Sequence, residues 1–166
     1  MNKNVKSYQS ALIVLVGGCF ISLIGFGARS GFGLYLGPMI CDLNWSRETF
    51  ALAMALQNLL WGVCLPFAGM LSDKYGPQWV IGLGSIVYVV GIIGMAFANT
   101  PFILYITAGI LVGIGVAFTS FSLATASMLR VVGSEKRSYV IGICTAAGSI
   151  GQVFYSPITQ AMIWDY

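Results

Sequence analysis

Apolar residues run on in this chain for about 20 positions at a time without alternating with polar ones, and few folds tolerate that pattern. A hydrocarbon core about 30 Å thick is crossed by ~20 helical residues. A strand of a membrane barrel needs only ~10 and alternates apolar with polar. The runs here are too long and too uniform for a barrel. Backbone amides in lipid are satisfied only within a helix or around a closed barrel, so the chain reads as an all-α membrane protein. Composition agrees: 58% of residues are hydrophobic and 8% charged, where a soluble domain carries roughly 25% charged residues. Mean hydropathy is +0.88.

Five transmembrane helices are expected, at about 11–36, 50–71, 79–97, 102–128 and 139–163. Short connections separate them. The 37–49 link holds Asp42, Asn44, Arg47 and Glu48, and the 72–78 link holds Asp73 and Lys74. The 98–101 link carries no charge, and the 129–138 link holds Arg130, Glu135, Lys136 and Arg137. Pro38, Pro77 and Pro101 fall at or near helix ends, where a missing N–H costs little. Pro66 and Pro157 fall inside the second and fifth segments and are expected to kink them. Lys3 and Lys6 ahead of an apolar stretch suggest a signal peptide, but that stretch is too long and more apolar sequence follows Arg29, so an uncleaved first helix is expected. Basic residues set the orientation. A cytoplasmic N-terminus puts Lys3, Lys6, Lys74, Arg130, Lys136 and Arg137 on one side and Arg47 alone on the other. The chain stops at Trp164-Asp165-Tyr166 and reads as an N-terminal fragment, truncated before a sixth helix.

The residues missing from the spans exclude several chemistries. Histidine is absent, so histidine-based zinc sites, Ser-His-Asp triads and His proton relays are not available. No Asp or Glu lies within the five segments, so a membrane aspartyl protease cannot be assembled either. Cys19, Cys41, Cys64 and Cys144 show no metal or redox spacing and read as small packing residues. No enzyme, no metal site and no cofactor is expected. The net charge of +3 is too mild for nucleic acid and follows from the inside-positive loops.

Arg29 is the sharpest polar candidate. It stands about 27 Å up the first helix from Ala11, at 1.5 Å per residue, and so in the outer half. An arginine at a helix midpoint costs about 2.5–3.5 kcal/mol on insertion scales and is usually functional. Its planar fork matches a carboxylate. An anionic substrate is the expectation; snorkelling to the outer interface is the plainer alternative. Gln57, Asn58, Thr119, Ser120, Gln152 and Tyr155 are further candidates for substrate contact, with Ser122, Thr145 and Ser149 behind them. Hydroxyls in spans commonly bond back to their own helix carbonyl instead. Glycines recur as small-xxx-small steps at Gly109 and Gly113, Gly142 and Ala146, and Ala147 and Gly151, where helix backbones can approach closely.

The segment Gly69-Met70-Leu71-Ser72-Asp73-Lys74-Tyr75-Gly76 resembles the loop between helices 2 and 3 of the major facilitator superfamily. Gly69, Leu71, Asp73, Lys74 and Gly76 carry the match. Arg29-Ser30-Gly31-Phe32-Gly33, Trp45-Ser46-Arg47 and the glycine-rich stretch after Lys136-Arg137 look like the monocarboxylate transporter and oxalate/formate antiporter branch. Gly109 stands where many proton-coupled antiporters of the superfamily have an arginine. The resemblance implies five helices of the N-terminal six-helix bundle of a twelve-helix fold, in the cell membrane (inner or plasma). It implies a secondary transporter of small organic anions, monocarboxylates by symport or antiport, working by alternating access of two rocking bundles. A drug-efflux or other small-solute facilitator is the alternative. Gly69, Asp73, Lys74 and Gly76 would form a gating loop. The implied partners are the anionic substrate, with or without a coupled proton, the bilayer, and the missing C-terminal half.

Overall fold

The computed structural model describes residues 2–43, 45–120, 122–123, 125–126 and 137–164; these are helical almost throughout, with no strand among them. Helix α1 is Asn2–Gly31. It passes through a 3-10 turn at Phe32–Tyr35 into α2, Leu36–Leu43. Helices α3 and α4 are Arg47–Tyr75 and Pro77–Ala96. The next span is composite: α5 at Pro101–Leu104, a π-helical stretch at Tyr105–Leu111, and α6 at Val112–Phe118. Helix α7 is Arg137–Trp164. Among the described residues, Leu15–Met39, Arg47–Tyr75, Pro77–Ala96 and Pro101–Phe118 are long and apolar enough to cross a membrane. Helix α7 has the length, at 28 residues, but Thr145, Ser149, Gln152, Thr159 and Gln160 dilute its apolar character.

Local chemistry explains the helix starts. Ser46 caps α3, its hydroxyl accepting from the Thr49 N–H at 3.3 Å. Thr100 caps α5 in the same way, accepting from the Ile103 N–H at 3.4 Å. Pro77 and Pro101 each open their helix, where no intrahelical N–H bond is lost. Pro66 and Pro157 lie inside α3 and α7, and both helices continue through them.

Two connections are tighter than the sequence reading drew them. Residues 36–43 are helical, with Pro38 in the first turn of α2, where its missing N–H has no intrahelical acceptor to lose. The 72–78 link contracts to Gly76 alone, because α3 runs to Tyr75 and α4 begins at Pro77. The fourth segment, expected unbroken at 102–128, leaves the helix at Thr119 and Ser120. Residues 127–136, with Arg130, Glu135 and Lys136, lie outside the described residues, as do Asn44, Asp165 and Tyr166.

The chain forms two compact units, Met1–Phe32 with Phe121–Tyr166, and Gly33–Ser120. In the second, the composite span packs against both α3 and α4. Glycine makes each approach possible. A Cβ on Gly109 would stand 3.0 Å from Leu56 Cδ2, and one on Gly113 only 2.8 Å from the Gln57 carbonyl oxygen. These contacts ascend together, so the span runs parallel to α3. On the other side Gly94 meets Thr107, Gly91 meets Val112, Gly115 meets Tyr88 and Gly84 meets Phe118. That order descends, so the span runs antiparallel to α4. The Gly109 and Gly113 step therefore packs as its spacing predicts.

In the first unit, α1 packs along α7. Gly151 lies against Leu23, Gly27 against Tyr155 and Gly31 against Thr159. Each rung advances four residues on both helices, so the two helices are parallel. Gly151 sits in this seam, and Ala147, one turn earlier on α7, is half-buried. Gly142 meets nothing within 4 Å, and the step it forms with Ala146 makes no such contact within the unit.

Candidate functional site

Of the residues singled out from the sequence, Arg29, Gln152 and Tyr155 belong to the first unit, while Gln57, Asn58, Thr119, Ser120 and the turn from Gly69 to Gly76 belong to the second. Each unit is best taken by itself.

Arg29 is half-buried in the last turn of α1, where the negative end of the helix dipole favours a cation. It is engaged in an interaction of its own. The neighbouring Ser30 donates to the Gly27 carbonyl at 2.7 Å and lies 3.4 Å from the Ser156 hydroxyl on α7. Ser156 in turn donates to the Gln152 carbonyl at 2.9 Å. The Tyr155 ring lies across Gly27, leaving no room for a side chain there. The helix pair thus carries a polar seam at the level of Arg29.

One turn below, Phe26, Thr145, Gly148, Ser149 and Gln152 line a recess of about 90 Å³. Thr145, Ser149 and Gln152 share one face of α7 by their spacing of four and three. Thr145 bonds its own helix, donating to Ile141 O at 2.8 Å. Phe26 closes the opposite wall, its ring set over Gly148. Sequence reasoning did not single out Phe26. Its position three residues before Arg29, on the same side of α1, was the available signal.

In the second unit Gln57 and Asn58 diverge. Gln57 is 4% exposed, and its Oε1 has no hydrogen-bond partner among the described residues. Asn58 is exposed and donates from Nδ2 to the Met54 carbonyl at 2.8 Å. Adjacent helix positions point about 100° apart at 3.6 residues per turn, so the two side chains cannot serve one cavity. Thr119 donates to the Gly115 carbonyl at 2.8 Å, the back-bond that competes with any ligand role. Ser120 is buried, with no partner for its hydroxyl among the described residues.

The gate-like turn is built on one conformation. Gly76 takes φ +90 and ψ 148, and its N–H closes α3 by donating to Ser72 O at 3.0 Å. Only glycine holds such a positive φ without strain. Asp73 and Lys74 are exposed in the last turn of α3, and the Lys74 ammonium lies 5.2 Å from the Tyr75 ring centroid. Gly69 meets nothing within 4 Å, so within its own unit that side of α3 is open.

The sequence profile of the Major Facilitator Superfamily matches residues 18–166. Human monocarboxylate transporter 7 is 26% identical over 147 residues, covering 86% of this chain and 27% of its own length. Monocarboxylate transporter 13 of Rattus norvegicus is 25% identical over 93% of the chain and 36% of its own length. The agnestins efflux protein AgnL12 of Paecilomyces divaricatus is 24% identical over 87% of the chain and 34% of its own length. The chain therefore spans about a third of the curated relatives it matches.

Proposed function

The chain belongs to the major facilitator superfamily, and from that premise we propose that it forms part of a secondary active transporter moving small organic anions, monocarboxylates foremost, by alternating access. It is a multi-pass membrane protein of a family of transporters. The observation that carries the anion reading is Arg29, a half-buried guanidinium on a membrane-crossing stretch, beside the hydroxyl seam of Ser30 and Ser156. The fork binds a carboxylate through two parallel bonds, and nearby Gln152 and Tyr155 orient the rest of the solute. Two of the relatives are named as monocarboxylate transporters, which supports the same class.

In this reading the N-terminus faces the cytoplasm of the cell, and the Asp73, Lys74 and Gly76 turn works as the inner gate with Gly69 beneath it. Gln57 and Ser120, buried with no hydrogen-bond partner among the described residues for Oε1 and Oγ, serve the second unit's share of the solute path, while Asn58 and Thr119 bond carbonyls of their own helices. A second bundle completes the cycle. Any coupled proton travels with the substrate or on a carboxylate, and the carboxylates within the described spans, Glu48 and Asp73, stand at the two ends of α3. Efflux of a larger organic solute is the second reading, and the relative named as an efflux protein favours it.

The test is uptake of a labelled monocarboxylate by the complete reading frame that encodes this chain. Arg29→Ala should lower uptake about tenfold or more, as loss of a charge-assisted bond worth ~1.5–3 kcal/mol implies. Arg29→Lys should fall between, keeping the charge and losing the fork. Unchanged uptake in Arg29→Ala rules out the anion role; export of a larger solute by that variant supports the efflux reading.

A further inference from the structure

The recess below Arg29 has dimensions that bear on selectivity. Its volume of about 90 Å³ holds roughly three waters at ~30 Å³ each. Three of its lining side chains, Thr145, Ser149 and Gln152, are neutral and polar, and the fourth is the Phe26 ring. Phe26 and Arg29 are three residues apart on α1, hence on one side and about 4.5 Å apart along the axis. In the transport reading, a solute held by its carboxylate at Arg29 has this recess within reach, on the Phe26 side of α1.

The depth of the recess depends on one missing side chain. Gly148 is buried, and a Cβ built there would stand 3.1 Å from Phe26 Cδ2 and 3.4 Å from Phe26 Cγ. That is tight enough to push the ring aside, yet the ring is a side chain and can yield. An added methyl occupies on the order of one water's share, ~30 Å³, or about a third of the space. Nothing else in the packing of α1 on α7 requires glycine at this position, in contrast to Gly151, where the neighbour is the Leu23 backbone. We infer that Gly148 and Phe26 together form a size filter, setting the longest uncharged tail that an anion bound at Arg29 can carry. The inference rests on the transport reading above and adds to it a pair of specificity-determining residues.

Two measurements on the complete reading frame test it. The first is uptake of straight-chain carboxylates from acetate to hexanoate in proteoliposomes. Gly148→Ala should lower the hexanoate-to-acetate uptake ratio about tenfold, and Phe26→Ala should raise it. A chain-length profile unchanged in both variants overturns the filter, and Phe26→Ala keeps the test open if Gly148→Ala does not fold. The second needs no transport. Ser149→Cys, with the native cysteines replaced, is converted to a mixed disulfide by methanethiosulfonates of graded size, methanesulfinate leaving, with and without Gly148→Ala. The alanine should slow the bulky reagents selectively. Equal slowing of all sizes, or no labelling of Ser149→Cys by any reagent, also overturns the filter. Size-selective labelling without uptake of any carboxylate leaves Gly148 and Phe26 as the limit on the recess and overturns both the anion-transport reading and the filter that rests on it.

Discussion

The two units face the same difficulty, since apolar helices in lipid gain nothing by hiding from their solvent, and they meet it differently. The Gly33–Ser120 unit is joined backbone to backbone. Gly84 and Gly91 on α4 and Gly113 and Gly115 on the composite span bring main chains together, while Gly94 meets the Thr107 side chain and Gly109 chiefly the Leu56 side chain. Thr107 and Thr119 turn their hydroxyls back onto Ile103 and Gly115, at 2.7 and 2.8 Å. The unit of α1 and α7 also uses glycine, but against side chains as often as backbone, and it leaves Thr145, Ser149 and Gln152 exposed. A polar face on an otherwise apolar chain needs water or a solute. The comparison sets a frame of closely joined helices, Gly33–Ser120, beside a helix pair that keeps an exposed polar face.

The largest effects should come where main chains touch, at Gly115 in the frame and at Gly151 against the Leu23 carbonyl in the helix pair. A Cβ at Gly115 would stand 2.7 Å from Tyr88 Cα and 2.8 Å from its nitrogen, so Gly115→Ala must displace α4 itself. Overpacking costs ~1–3 kcal/mol, and this site should lie at the upper end. Gly27→Ala meets the Tyr155 ring, which can swing, and should cost less. Thermal unfolding in detergent reads both; equal losses would break the contrast between a rigid frame and a yielding pair. Gly76→Ala comes next, at about 1–3 kcal/mol for a non-glycine residue held at φ +90. Its loss should appear in the frame's melting, and a neutral result would mean the turn relaxes. The smallest effect is expected at Gly142, where a Cβ meets nothing within 4 Å. Gly142→Ala should stabilise by ~0.5–1 kcal/mol through helix propensity alone. A loss in the complete protein would instead reveal a helix packed on that face.

Much of the architecture was legible in the sequence because lipid imposes a length and a period that soluble cores do not. Helices α3 and α4, at 47–75 and 77–96, overlap the segments drawn at 50–71 and 79–97, and Gly109, Gly113 and Gly151 each lie against a neighbouring helix. The π-helical stretch at Tyr105–Leu111 was not legible, since one inserted residue in a uniformly apolar run changes no hydropathy pattern. Nor was α2, because a link read from its charges and proline hides a helix whose first turn accepts proline. The candidate site divides in the same way. Arg29 stands out from sequence because charge in a span is rare. Gln57 and Asn58 were grouped by adjacency, whereas the helix turns one inward and the other outward.

The parallel course of α1 and α7 has a consequence for how the protein is made. Ser30 and Ser156 are 126 residues apart in sequence. At ~5–20 residues per second, synthesis takes roughly 6–25 s to cover that distance. Throughout that interval the groove of Gly27, Ser30 and Gly31 has no α7 to receive it, and the guanidinium of Arg29 has no seam beside it. The first helix is therefore complete well before its partner exists, and the late arrival of α7 decides when this unit closes.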